Sequence, residues 1–214
     1  MIAIIICCCY KYEKQFERIS KYWDNIEKND STFKFFYLFG DKTISNTEYN
    51  ETTRKLILKN DDTYESLPKK IYEAINYIYN TYTNIDGIYK TDDDIVYDDL
   101  EKLVEEIKNC IKKYDYSGLK IDKTKGGIIK KKRLVKFTNT IENKNENFLS
   151  YDKAIYCYGA GYALSSKAIK KYLLNKDYVN NQYLEDVCMG HILNMYDIYP
   201  KQMKSEYKEI KRII

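Results

Sequence analysis

Three consecutive carboxylates, Asp92, Asp93 and Asp94, are the part of this chain best suited to chemistry. They follow an apolar run from Ile85 to Tyr89, and an amphipathic segment comes soon after them. Adjacent carboxylates repel one another, so a nearby cation would stabilise their charged forms. Mg²⁺ and Mn²⁺ prefer oxygen ligands and commonly bridge a few carboxylates to substrate phosphates. The triplet therefore predicts a site for a divalent cation and a diphosphate, with an acidic first turn of a helix as the alternative.

A second acidic pair, Glu185-Asp186, lies where a helix is predicted to begin. Asp is a favoured N-cap residue, so a helix start capped by Asp186 would explain the pair without any chemistry. A carboxylate at a helix N-terminus is equally suited to act as a general base, because the helix dipole favours its charged form. The single histidine, His191, follows Asp186 by five residues and therefore faces another side of a helix. We expect a structural role for His191, with metal binding kept open because Mn²⁺ accepts imidazole.

The turn Gly159-Ala160-Gly161 is the third candidate site. Small residues let a backbone approach a sugar ring or a neighbouring strand, and a plain turn explains them equally well. A dinucleotide fingerprint would need a further glycine at position 164, which is Leu164. An EF-hand loop counted from Asp92 would need Gly at position 97 and Glu at position 103, which are Tyr and Leu. Both of these motifs are excluded.

The segments that carry these residues alternate between extended and helical patterns. Strands are predicted at 2–9, 33–39, 55–59 and 85–91, and helices around 16–26, 67–78 and 100–111. This order predicts an α/β fold with a mostly parallel central sheet and helices on both faces. Ligands of such sheets bind beyond the carboxyl ends of the strands, which is where Asp92 to Asp94 fall.

The middle of the chain, about 114–152, is polar and contains the basic run Lys130 to Arg133. Extended pieces near Ile128 and at 134–137 could form a hairpin. We expect the basic run itself to be a solvated loop, and the functional alternative is a mobile flap whose cations meet a diphosphate or an acidic acceptor. Beyond it we expect a strand at 154–158, a helix from about Ser165 and an extended piece at 197–199. No Pro/Gly/Ser linker or repeat occurs, so residues 1–214 are predicted to form a single domain.

Composition excludes several classes of protein. The chain has 36 basic and 32 acidic residues and a net charge of +4, which is too balanced for a dedicated nucleic-acid binder. No window is long and apolar enough for a transmembrane helix. The apolar start lacks a basic segment before it, so we expect a buried strand and no signal peptide. None of the six cysteines forms a C-x-x-C pair, which favours reduced thiols and a cytoplasmic protein, in the host cytoplasm if the chain is viral.

At this point the motifs resemble glycosyltransferase family 31, the β-1,3-galactosyltransferase and Fringe-like enzymes. Five blocks match in order: FFYLFG at 35–40, DDTYESLPKK at 61–70, YKTDDD at 89–94, YCYGAGYALS at 156–165 and EDVCMG at 185–190. Each block is modest alone, but all five lie in register from about residue 2 to 199.

The resemblance implies a GT-A fold, a nucleoside-diphosphate-sugar donor such as UDP-galactose, a carbohydrate acceptor, Mn²⁺ or Mg²⁺ as cofactor, and inversion at the anomeric carbon. Carried over by position, Asp186 would be the catalytic base with Glu185 beside it. Asp94 and Asp92 would bind the metal. Donor-binding positions would be Lys90, Asp92, Asp93, Gly159, Gly161 and Tyr162.

The chain departs from the family pattern at two places. Ser20 stands where the family usually has an Arg three residues before the tryptophan of its first helix, here Trp23. The family's late metal-binding histidine has no counterpart after His191. The ligands of the metal would then be carboxylates, water and the donor diphosphate. An enzyme is the main interpretation, because a base at Asp186 has no use in the alternative, a catalytically silent sugar-nucleotide or glycan-binding module. An acidic structural domain without a ligand is the third.

Overall fold

The computed structural model describes residues 1–130 and 148–211. Its strands in chain order are β1 (Ile2–Cys7), β2 (Phe33–Gly40), β3 (Glu48–Asn50), β4 (Lys55–Leu58), β5 (Gly87–Asp92), β6 (Ile95–Tyr97), β7 (Tyr116–Gly118), β8 (Ile121–Lys130), β9 (Phe148–Cys157), β10 (Gly161–Ser165), β11 (Lys201–Gln202) and β12 (Tyr207–Glu209). Its helices are α1 (Glu13–Asn29), α2 (Leu67–Thr81), α3 (Leu100–Lys113), α4 (Ser166–Leu173), α5 (Lys176–Asn180) and α6 (Glu185–Asn194), with a single 3-10 turn at Tyr10–Tyr12.

Eight strands form one sheet, in the order β11-β7-β10-β5-β1-β2-β4-β3. Its centre is parallel, because β1 pairs with both β2 and β5 and β2 pairs with β4 in the same direction. β10 runs antiparallel between β5 and β7, and β3 is an antiparallel edge strand. The expected α/β architecture is confirmed, with a sheet that is mixed around a parallel centre.

Helices cover both faces of this sheet, as predicted. Alternate residues of β1 point to opposite faces, so Ile4 and Ile6 join one core cluster and Ala3 and Ile5 join the other. The first cluster packs on α1 and α3, and the second packs on α2, α4, α5 and α6. Trp23 of α1 is fully buried in the first cluster, which accounts for the helical spacing seen in the sequence.

The polar middle of the chain contains strands where the structure describes it, whereas residues 131–133 of the basic run, which we expected to form a solvated loop, lie outside the described residues. Tyr116 is fully buried on β7, inside the main sheet. β8 and β9 form an antiparallel two-stranded ribbon in which Ile128 lies opposite Ser150. Residues 134–137, the proposed partner of Ile128, lie outside the described residues. Both faces of a two-stranded ribbon can stay polar, so it leaves little apolar alternation to find in the sequence.

The C-terminal segment returns to the part of the fold that carries the acidic triplet. Asp197 occupies a left-handed turn, with φ 57°, where the sequence predicted extended chain. The chain then adds β11 to the edge of β7 and β12 to β6, with Glu209 opposite Ile95. The Ile210 N–H donates to the Asp94 carbonyl at 2.7 Å, so this segment ends on the acidic triplet. Within the described residues, no helix has the length and apolar character needed to span a membrane.

Candidate active site

The candidate site lies at the point in the sheet where the chain stops adding strands on one side of β1 and begins to add them on the other side. From β1 the chain adds β2 and β4 on one side, and β5 then pairs with the other side of β1. Ligands of α/β sheets bind outside the carboxyl ends of the strands at such a point. Cys7 and Asp92 are paired residues at these ends, and a cavity of about 300 Å³ opens beside Asp92.

The acidic triplet divides between this cavity and the protein interior. Asp92 and Asp94 line the cavity, while Asp93 is 1% exposed and is not among the cavity-lining residues. The backbone of Asp93 is fixed by Gln15 Nε2, which donates to its carbonyl at 2.7 Å, and its charge contributes to the raised pKa of buried Cys8, after burial itself. Asp93 and Asp94 form the turn between β5 and β6. The structure therefore does not place Asp93 as a donor-binding residue, whereas Asp92 and Asp94 lie together as expected.

Lys90 is the buried cation of the site. Its side chain is 1% exposed, and its Nζ lies 2.8 Å from Asp92 Oδ1 and 3.3 Å from Glu185 Oε2. The same Nζ donates to the Gly159 carbonyl at 2.8 Å. Burial alone would lower the pKa of Lys90, but the charges of Asp92 and Glu185 raise it well above its usual value. Lys90 therefore stays charged and joins β5, the glycine turn and helix α6 into one rigid unit.

Glu185 is the buried carboxylate that pairs with Lys90 in this unit. It is 4% exposed and accepts a hydrogen bond from the Tyr162 hydroxyl as well as the ion pair with Lys90. Tyr162 itself is fully buried and lies outside the cavity lining, so it orients Glu185 and does not reach a ligand. The predicted donor-binding role of Tyr162 does not fit this placement.

Asp186 presents its carboxylate to the cavity from the first turn of α6. The helix begins at Glu185, so Asp186 is not the N-cap residue that the sequence suggested. Backbone N–H groups of Val187 and Gly159 donate to this carboxylate, the former at 2.8 Å. Burial and then the charge of Glu185 raise the pKa of Asp186 to about 6. Such a carboxylate is charged at neutral pH and accepts a proton more readily than an ordinary Asp.

The glycine turn brings backbone close to all of these charges. A Cβ at Gly159 would lie 3.5 Å from Lys90 Nζ, 3.8 Å from Asp186 Oδ2 and 3.9 Å from Asp92 Oδ2. Gly159 lines the cavity as expected. Gly161 does not, and a Cβ there would lie 2.3 Å from the Tyr89 hydroxyl, so packing between strands requires this glycine.

His191 lies away from the cavity. Its Nδ1 is 3.2 Å from the Lys153 carbonyl, its Nε2 is 3.8 Å from Asp152, and its ring stacks on Tyr178 at 4.9 Å. These contacts tie helix α6 to β9 and α5. The structural role expected for His191 agrees with this placement, and the option of a metal ligand does not.

Tyr64, Tyr158 and Glu209 are the polar side chains of the cavity lining that were not singled out as site residues from the sequence. Both tyrosines are partly exposed, at 40% and 37%, which is unusual for large aromatic side chains in this chain. Tyr64 and Tyr158 fall inside two of the five sequence blocks, so their position was available as a signal. Glu209 lies in no block and reaches the cavity only because β12 pairs with β6.

The donor set of the cavity is suited to a divalent cation that also contacts substrate. Five carboxylates and one ammonium occur among the described residues that line it, those of Asp92, Asp94, Glu185, Asp186, Glu209 and Lys90. No three His, Cys, Asp or Glu side chains in the described part of the chain are grouped to hold a metal ion by themselves. Asp92 and Asp94 fit Mg²⁺ or Mn²⁺ as a pair of oxygen ligands, with phosphate oxygens and water completing the shell, as is common for these ions.

Comparison with solved structures gives distant matches. A putative glucose-1-phosphate thymidylyltransferase from Bacillus anthracis has a TM-score of 0.48 and 14% identity, over 98% of this chain and 89% of that one. Mouse xyloside xylosyltransferase 1 has a TM-score of 0.42 and 8% identity, over 94% and 84%. The glycosyltransferase GlyE of Streptococcus pneumoniae has a TM-score of 0.41 and 14% identity, over 94% and 44%. No curated protein sequence matches the chain.

Comparison with protein families gives a match over most of the chain. The sequence model of the family described as Galactosyltransferase matches residues 15–204. The match includes the acidic triplet, the glycine turn and the Glu185-Asp186 pair, and it confirms the resemblance to the family 31 type. A nucleotide-sugar donor and an acceptor follow from membership of a glycosyltransferase family. The chain therefore belongs to the galactosyltransferase family.

Proposed function

We propose that this chain is a metal-dependent, inverting glycosyltransferase that moves a hexose from a UDP-sugar, UDP-galactose or a similar donor, to a hydroxyl group of a glycan or protein-linked acceptor. The observation that supports this best is the grouping of Asp92, Asp94 and Asp186 around one cavity at the switch point of the sheet. A β-1,3 linkage, as in the enzymes that the sequence resembles, belongs to the same proposal.

The donor diphosphate would lie beside Asp92 and Asp94. Two phosphate charges cannot approach these carboxylates without a counter-charge, and Lys90 is already shared between Asp92 and Glu185. Mn²⁺ or Mg²⁺ held by Asp92 and Asp94 would supply positive charge that stabilises the departing nucleoside diphosphate. Lys90 contributes by holding Asp92 in place through one oxygen.

Asp186 would remove the proton from the acceptor hydroxyl. The acceptor oxygen then forms a bond to the anomeric carbon while the bond from that carbon to the diphosphate oxygen breaks, and the proton passes to Asp186. A single displacement of this kind inverts the anomeric centre. The two backbone donors from Val187 and Gly159 keep the Asp186 carboxylate directed at the cavity. Glu185, buried and bonded to Tyr162, is a positioning residue in this scheme.

A panel of sugar nucleotides tests the proposal. Calorimetry with UDP-galactose, UDP-glucose and UDP-N-acetylglucosamine, each with Mn²⁺ and with EDTA, should reveal at least one donor whose binding needs the metal. Slow donor hydrolysis under the same conditions should also need the metal. Binding without any hydrolysis or transfer would favour the silent binding module, and the absence of metal-dependent binding for every donor would contradict the proposal.

A further inference from the structure

One side of the cavity carries an aromatic ring and a carboxylate that the donor scheme does not use. Tyr158 directly follows β9 and keeps 37% of its surface exposed, and Glu209 comes from the C-terminal strand β12. Both line the same cavity as Asp186. The arrangement is built from segments that are 51 residues apart in the sequence, and it exists because β12 pairs with β6 beside the acidic triplet.

The surroundings of the two exposed tyrosines distinguish the two ends of the cavity. The charges that raise the pKa of Tyr64 to about 12, after burial, are those of Asp186, Asp92 and Glu185. Those that raise the pKa of Tyr158, again after burial, are those of Glu209, then Tyr207 and then Asp186. Tyr64 thus adjoins both the base and the donor acid Asp92, whereas Tyr158 adjoins the base and Glu209.

A flat aromatic ring beside a carboxylate matches the chemistry of a neutral sugar. The ring can pack against the apolar face of a pyranose, and the carboxylate accepts hydrogen bonds from its hydroxyl groups. Lys120 lies over the Tyr158 ring with its Nζ 5.3 Å from the centroid, but this ammonium also pairs with Asp122 at 3.4 Å. An anionic sugar would meet Glu209 and Asp186 without an uncommitted cation among the described cavity-lining residues.

We propose that Tyr158 and Glu209 form the acceptor subsite, an inference that rests on the proposed function. The acceptor is then a glycan whose sugar ring in this subsite carries no negative charge. Tyr158 supplies the packing surface, and Glu209 both binds the acceptor hydroxyls and rejects uronic acids. The C-terminal strand thereby sets acceptor specificity, while Asp92, Asp94 and Lys90 serve the donor.

Matched acceptor pairs test this assignment in the presence of Mn²⁺ and UDP. Saturation-transfer NMR would compare the methyl glycosides of glucose and galactose with the corresponding methyl uronides, which differ only by a carboxylate in place of the C6 hydroxymethyl group. We expect the neutral member of at least one pair to bind at least about tenfold more tightly, which corresponds to about 1.4 kcal/mol of repulsion from a like charge within a few ångströms. Uronides that bind as tightly as neutral sugars, or no binding by any neutral sugar, would overturn the proposal.

Three variants locate the effect on the named residues. Glu209→Gln should reduce the preference for the neutral sugar to about threefold or less, because the repelling charge is gone while an acceptor of hydrogen bonds remains. Glu206→Gln, an exposed carboxylate of the same segment outside the cavity, is the matched control and should keep the full preference. Tyr158→Ala should weaken neutral-sugar binding about fivefold or more, and Tyr158→Phe should restore it.

Donor calorimetry on the same proteins separates this inference from the proposed function. If wild-type protein fails to bind any UDP-sugar with Mn²⁺, the proposed function fails whatever the acceptor data show. If Glu209→Gln loses affinity for the UDP-sugar and keeps its preference among acceptors, Glu209 belongs to the donor site and the acceptor assignment is overturned.

Discussion

Two buried lysines near the carboxyl ends of the strands differ in how far their charge is balanced by the carboxylates around them. Lys70 of α2 is 3% exposed and pairs with Asp62 at 2.5 Å, while Lys90 of β5 is 1% exposed and pairs with both Asp92 and Glu185. Besides its ion pair with Lys70, the Asp62 carboxylate accepts hydrogen bonds from the backbone N–H groups of Tyr10 and Gly40, at 2.7 and 3.1 Å. In this group one ammonium balances the charge of one carboxylate, and the protein itself supplies the hydrogen-bond donors.

The group around Lys90 is unbalanced. The cavity it adjoins carries five carboxylates against this one ammonium among its described lining residues. Placing carboxylates close together is costly because like charges repel, and the fold tolerates it here beside an opening large enough for a ligand. We infer that a balanced ion pair at a strand end holds the fold together, whereas an acidic surplus at a neighbouring strand end binds a cationic or metal-bridged ligand.

The largest expected effect is on the base of the unbalanced group. Asp186→Asn keeps the size of the side chain and removes the proton acceptor, so sugar transfer should fall by about 10²–10⁴-fold while UDP-sugar binding persists. Initial rates of transfer and donor calorimetry measure the two quantities. Glu185→Gln is the comparison, because Glu185 is a positioning residue and its loss should cost less. Full activity in Asp186→Asn with activity lost in Glu185→Gln would mean that the base is Glu185.

Removing the buried cation should have the next largest effect, on stability. Lys90→Met leaves Asp92 and Glu185 without their counter-charge, and we expect the free energy of unfolding to fall by about 3–5 kcal/mol. Urea denaturation measures this quantity. Adding Mn²⁺ should recover part of the loss, because an ion that binds the folded state of this acidic cavity stabilises it by mass action. A loss that Mn²⁺ leaves unchanged would speak against cation binding at the cavity.

Replacing Lys70, the lysine of the balanced pair, should lower stability less than replacing Lys90, and Mn²⁺ should not recover the loss. Lys70→Met removes one partner of Asp62, but two backbone donors and partial exposure remain, so we expect a loss of about 2 kcal/mol. Mn²⁺ should change the stability of this variant by no more than it changes that of the wild type. Equal losses and equal rescue for the two lysine variants would remove the distinction between the groups.

A pH profile gives the finest comparison. Because the pKa of Asp186 is raised to about 6, it is ionised above that pH, and kcat/KM should decline about tenfold per pH unit below it. Glu185→Gln removes a charge that raises this pKa, so the midpoint should move to lower pH. Lys90→Met removes a charge that lowers it, so the midpoint should move to higher pH. Midpoints that stay fixed in both variants would show that another group controls the profile.

Much of this account could be predicted from local sequence patterns. The apolar spacing of Phe16, Ile19, Trp23 and Ile26 predicted α1, and the apolar runs predicted the parallel strands. Asp92, Asp94 and Asp186 were found because strand ends and helix starts concentrate ligand-binding groups in α/β folds. The burial of Asp93 was not predicted, because Asp93 and Asp94 lie in the turn after β5, where strand alternation does not apply.

The remaining features depend on tertiary pairing that leaves no local signal. Glu209 reaches the cavity through the β6–β12 pairing, and Tyr162 is buried because β10 lies between β5 and β7. Gly161 is required by the Tyr89 hydroxyl, a contact across two strands. None of these partners is adjacent in the chain, so spacing and composition could not distinguish ligand-binding residues from those that support them.

The most direct test of the central claim is calorimetry of UDP-galactose binding to wild-type protein and to Asp94→Ala, each with Mn²⁺ and with EDTA. Asp98→Ala is the matched control, because Asp98 is an exposed carboxylate of the same region that pairs with Lys208 at 2.7 Å and does not line the cavity. We predict metal-dependent binding in the wild type and the control, and its loss in Asp94→Ala with the thermal unfolding temperature nearly unchanged. The same UDP-galactose affinity in all three proteins, with or without EDTA, would contradict the claim that the acidic surplus binds a cation and the donor diphosphate.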